Sequence, residues 1–112
     1  MNNLRNSVTL IGNLGKDPDY RNLDNGKQIA KLSLATNETY KTESGEKVTQ
    51  TQWHQCVAWG KTADLMSQLL KKGKTVAVRG KLVYRNYEDK NNQKRTISEV
   101  VVDEFLLVSP NN

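Results

Sequence analysis

The side chains with the most chemistry lie in "TQWHQCVAWGK", residues 51–61, which holds both tryptophans (Trp53, Trp59), the only histidine (His54) and the only cysteine (Cys56). A thiol two positions from an imidazole suggests a nucleophile or a pair of metal ligands. Zinc takes three or four ligands, and a catalytic Cys-His pair needs a third group to orient the imidazole. With no further His or Cys to complete either set, His54 and Cys56 read as packed or interface residues, and no metal or cofactor is expected.

Other reactive-looking strings weaken in the same way. "GKT" occurs at 60–62 and 73–75, but a phosphate loop needs a glycine five positions before its second glycine, where this chain has Gln55 and Gln68. "GNLGKDP" from Gly12 to Pro18 could form a small anion nest, although a glycine kink in a tightly bent first strand is the better reading. A metal nuclease needs clustered carboxylates. Asp103 and Glu104 are neighbours in a strand-like run and are expected to point to opposite faces. No catalytic set results, so the chain is not expected to be an enzyme.

Five stretches carry strand signals, at about 4–14, 28–40, 49–60, 74–88 and 95–108. "LDNGKQ", "TESGEK" and "DKNNQK" supply the turns. "TADLMSQLLKKG" is the one helix, expected to start at an N-capping Thr62 with Asp64 near its positive end. Lys71, Lys72 and Gly73 would finish it. Ala63, Met66, Leu69 and Leu70 form its apolar stripe. Three strands, a helix and two strands make an all-β chain with one α-helix. That is the order of an OB-fold, a five-stranded Greek-key barrel with the helix between strands three and four.

Alternation assigns faces. Trp53, Gln55, Val57 and Trp59 share one face of the third strand, and His54, Cys56 and Ala58 the other. Aromatics are more often buried than not, yet Gln55 between the tryptophans argues for a wet face, so pattern alone leaves both readings open. In the fourth strand Val76, Val78, Gly80, Leu82 and Tyr84 make a core face, while Arg79, Lys81, Arg85 and Tyr87 face outward. Tyr40 has the parity of the core residues Ala30, Leu32 and Leu34. A long bent strand or a bulge near the hairpin could turn it outward.

The charge distribution agrees with such a surface. The chain has 112 residues and a net charge of +5, but residues 61–95 hold ten Lys/Arg against three acids. A basic segment interleaved with aromatics fits single-stranded nucleic acid, whose bases stack on rings while cations hold phosphates. One cysteine, no leader-like N-terminus and no apolar run of about 20 residues point to a soluble, cytoplasmic protein.

"VTLIGNLGKDPDYR", "LATNETY", "QTQWHQCVAWGKTADLMSQLLKKGKTVAVRGKL" and "RNYEDKNNQKRTISEVVVDEF" resemble, in order through about residues 4–106, the bacterial single-stranded DNA-binding protein family. The resemblance implies an OB-fold domain over 1–108 and a short disordered end at 109–112. It also implies a nucleoid-associated homotetramer that binds single-stranded DNA without sequence preference in replication, recombination and repair. Stacking would fall to Tyr40, Trp53, Trp59 and Tyr87, and phosphate contacts to Lys61, Lys71, Lys72 and Arg85. The face pattern adds Arg79 and Lys81. His54 matches a subunit-interface histidine. Family members usually continue into a Gly/Pro/Gln-rich linker and an acidic tip that recruits replication and repair proteins. These 112 residues end at Asn112 with neither, as a truncated or short form. The alternatives within the same class are a primosome-type accessory protein and an RNA binder.

Overall fold

The computed structural model describes residues 5–108. Six strands and a helix follow in the order β1 (Val8–Leu14), β2 (Asp19–Asn22), β3 (Gln28–Lys41), β4 (Lys47–Trp59), α1 (Gly60–Leu69), β5 (Thr75–Glu88) and β6 (Lys94–Leu107). Residues 109–112, expected to be a disordered end, lie outside the described residues.

Three hairpins are made by one kind of turn. Leu23 to Lys27, Thr42 to Glu46 and Asp89 to Gln93 each close by an amide-to-carbonyl bond of 2.7 to 3.0 Å. In each, the fourth residue takes a positive φ, at Gly26 (83°), Gly45 (87°) and Asn92 (60°). This is a type I turn followed by a left-handed residue, which is why Gly or Asn stands there.

The sheet order is β1-β5-β6-β4-β3-β2, and a further pairing of β1 with β3 closes a ring of five strands. β4 and β6 run parallel where Cys56 meets Val100, and the other pairings are antiparallel. This is the expected five-stranded barrel with its helix between the third and fourth barrel strands. The short β2 is an addition, lying along β3 beside the closure. Its four residues, DYRN, have no apolar alternation that could announce a strand. β1 begins at Val8 rather than near residue 4. Closure brings backbones close at Gly12, where a Cβ would run into the Ala35 carbonyl, so the glycine is a packing requirement and not an anion nest.

The barrel interior is filled by Leu14, Leu32, Leu34, Cys56, Val76, Val78, Val100 and Val102, with Ala63, Met66 and Leu70 of the helix region plugging one end. Burying a side chain such as Leu32 or Met66 contributes about 1.5–3 kcal/mol. Leu69 departs from the expected stripe and is 47% exposed, because it sits about 60° of helix rotation outside Met66.

The helix boundaries also differ from expectation. Trp59, in extended conformation, is the N-cap and Leu70 the C-cap. Thr62 therefore lies inside the helix and Asp64 beyond its first turn. There the Asp64 carboxylate accepts hydrogen bonds from Tyr20 (3.4 Å) and Gln68 (3.2 Å). Lys71 to Lys74 form a separate turn with Gly73 at φ 88°.

Candidate nucleic-acid interface

β3 and β4 pair through 13 consecutive residues, and β5 and β6 through a similar length, so both hairpins outrun the barrel as long arms. Within the barrel, parity separates inside from outside as the sequence suggested. Trp53 is 59% and Trp59 45% exposed, while Cys56 between them is 2% exposed. The six-position spacing of the tryptophans places them about 20 Å apart on the outer face of β4. That face carries two platforms for flat rings.

Trp53 is held from below. Its ring lies against Gly15, where an added Cβ would come within 2.5 Å of the ring atom Cζ3. The glycine therefore leaves room for the indole against the backbone just after β1.

Beyond the barrel, parity stops predicting burial. Tyr84 has the parity of the core residues but is 70% exposed, because the β5–β6 arm has nothing to pack against at that point. Tyr40 is 46% exposed for the same reason, on a ladder with no bulge, where it pairs with Val48. It stays on the face opposite to Trp53, with no bulge in the β3–β4 ladder to re-aim it. Tyr87 is 45% exposed on the outer face of its arm, opposite Arg95.

The bulge is elsewhere. The β5–β6 register shifts between Arg79, paired with Glu104, and Gly80, paired with Val102, leaving Asp103 as the extra residue. Asp103 and Glu104 therefore do not point apart as a regular strand would require. Both reach Arg79, Glu104 at 2.6 Å and Asp103 at 3.6 Å. Among the described residues, no three His, Cys, Asp or Glu side chains gather as a metal site.

Arg21, Arg79, Arg85 and Arg95 are each paired with a carboxylate, and among the described residues no lysine is. Arg79 and Arg85 thus already have carboxylate partners, Arg85 in Glu99 at 3.2 Å. Lys61, Lys71, Lys72 and Lys81 are exposed and have no carboxylate partner among the described residues. Lys61 is in the first turn of α1, just past Trp59. Lys71 and Lys72 lie in the turn after the helix, where the Lys72 amide donates to Asp17 (2.8 Å). Lys81 stands on the outer face of β5.

The sequence reading passed over Lys31. It pairs with Val57, Val57 with Val101 and Val101 with Lys81, so one row across the outer face reads Lys-Val-Val-Lys. Val57 is only 4% exposed there. Lysine stems that lie along apolar surface with their ammonium groups in water would cover such a strip. The parity of Lys31, opposite to that of Ala30 and Leu32, was the available signal.

The two reactive-looking residues face structure. The Cys56 thiol is pushed up to about 11 by burial, so it stays protonated and non-nucleophilic at neutral pH. His54 is half-buried, with Nε2 2.9 Å from the Thr36 hydroxyl across the ladder. It also lines a cleft of about 360 Å³ where β4 and β6 diverge, together with Trp53, Leu82 and Glu99.

The model of the single-strand binding protein family matches residues 5–108. This chain belongs to that family. Two bacterial relatives are the single-stranded DNA-binding protein 1 of Chlorobaculum tepidum, 41% identical over 92% of this chain, and the single-stranded DNA-binding protein of Neisseria meningitidis serogroup A, 36% identical over 96%. The chain spans 64% and 62% of the length of those proteins, a little under two thirds. Among solved structures, a Plasmodium falciparum SSB in complex with ssDNA superposes with a TM-score of 0.83 at 31% identity, covering 97% of this chain and all of that one. A deletion mutant of the single-stranded DNA-binding protein from Thermus aquaticus gives 0.80 at 31% identity, covering 93% of this chain and 50% of that one. The barrel is thus the OB-fold of this family.

Proposed function

We propose that this chain is a non-catalytic protein that binds single-stranded DNA without sequence preference, in replication, recombination and repair in the bacterial cytoplasm. The observation that carries the reading is the pair of exposed tryptophans on one sheet face, with unpaired lysines beside them. Bases stack on such rings at about 1–3 kcal/mol each, almost regardless of sequence, and lysines replace the counterions of the phosphates. Tyr87 and Tyr40 extend the stacking surface onto the two arms. Tyr40 requires the strand to pass around the β3–β4 arm, since it lies on the face away from Trp53. Lys61, Lys71, Lys72 and Lys81 are the phosphate contacts. Arg79 and Arg85 contribute only where DNA displaces their carboxylates.

The same reading makes the protein a homotetramer with His54 at a subunit interface. Ile11, Ala77 and Leu106 line up in one row on the outer face of β1, β5 and β6, and Ile11 and Leu106 are 61% and 69% exposed. An apolar row of this kind suits burial against another copy. Light scattering should give four chains per particle, with and without a dT oligomer. In competition, unlabelled DNA of unrelated sequences should displace a labelled dT oligomer equally well, whereas duplex DNA should not. A monomeric mass would remove the tetramer, and displacement by duplex DNA would remove the single-strand reading.

A further inference from the structure

Trp59 does not stand on a flat sheet. Gly26, Lys27, Gln28, Trp59 and Gly60 line a depression of about 460 Å³ between the β2–β3 turn and the start of α1. Its two glycines are in left-handed conformation, at φ 83° and 63°, and the space where their Cβ atoms would point is open. The indole forms one wall of the hollow.

Three lysines from three elements neighbour Trp59, by the hollow's lining, by chain position and by ladder register. Lys27 lines the hollow itself, and Lys61 follows Trp59 by two residues in α1. Lys31 is the third. Ile29 pairs with Trp59 and Lys31 with Val57, so Lys31 is the diagonal neighbour of Trp59 on the outer face. Diagonal neighbours on one sheet face lie about 7–8 Å apart, within reach of a long side chain. Among the described residues none of the three is ion-paired, while Arg21, Arg79, Arg85 and Arg95 all are.

We propose that this hollow is a nucleotide subsite in which a base stacks on Trp59 while Lys27 and Lys31, together with Lys61, hold the adjoining phosphates. Resting on the single-stranded DNA reading above, the proposal adds two phosphate contacts to it and concentrates charge at Trp59 rather than at Trp53. Neither lysine lies in the basic segment 61–95. The long hairpin brings them to it.

The test uses the whole chain carrying Trp53→Phe, so that fluorescence reports on Trp59 alone. Titrations with a dT oligomer at several salt concentrations give the slope of log K against log salt. Lys31→Met keeps an apolar stem over Val57 and removes only the charge. Lys27→Ala removes an exposed side chain. Each should flatten the slope by about 0.7, the single-strand value per phosphate contact, and the double variant by about 1.4. Quenching of Trp59 at saturation should persist, and Lys31→Arg should restore the parental slope. Unchanged slopes in variants whose Trp53→Phe parent is quenched in a salt-dependent way would overturn this subsite and leave the DNA reading standing. A parent that shows no quenching and no binding would overturn both.

Discussion

Trp53 and Trp59 expose large apolar rings to water, which favours any partner able to cover them. Trp53→Ala and Trp59→Ala should each weaken binding to a dT oligomer by about 1–3 kcal/mol, roughly 5- to 150-fold. Their thermal unfolding should remain close to that of the parent, because neither ring is in the core. Unfolding of either variant would return that residue to a structural role. His54 and Cys56 illustrate what was legible at this scale. Parity along the strand places them away from the tryptophans, and burial explains why the thiol is inert. The pairing of Arg79 was not legible. It depends on a bulge at Asp103, and a one-residue slip between strands leaves no mark in a run of apolar and acidic residues.

At the scale of elements, the order of strands, turns and helix was readable because each turn needs a residue that tolerates positive φ and each barrel strand alternates. The arms were not readable. Alternation continues past the point where the barrel ends, so the pattern assigned Tyr84 to a core that does not reach it. The β5–β6 arm also has an electrostatic clasp at its tip. Arg95 donates to Asp89 at 2.9 Å, and the amides of Gln93 and Asn91 donate to the same carboxylate, which holds Asp89 below the usual carboxylate range. A carboxylate with a depressed folded value stabilises the fold above its unfolded value of about 3.9 and loses that contribution as pH falls through the depressed one. Asp89→Ala should therefore lower thermal stability by a constant amount above about pH 5, and the difference should vanish in strong acid. Amide hydrogen exchange at Asn91 and Gln93 should quicken in the variant. A deficit that grew on acidification would contradict the clasp.

For the whole molecule, the basic segment 61–95 suggested a polyanion partner, and the fold changes which charges count. Carboxylates occupy four arginines, while Lys31 lies diagonally from Trp59 on one sheet face and Lys61 follows it in α1. No linear window of sequence contains that set, since only the barrel joins residues 27–31 to 59–61 and 81. On the proposed function, the outer face of β4 takes up single-stranded DNA by stacking and by counterion release together. Titrating the protein with a dT oligomer while following tryptophan fluorescence, across salt concentrations, tests it most directly. The predicted result is deep quenching at saturation, with log K falling linearly against log salt by about 0.7 for each lysine engaged. Undiminished tryptophan fluorescence at saturation, or an affinity indifferent to salt, would contradict it.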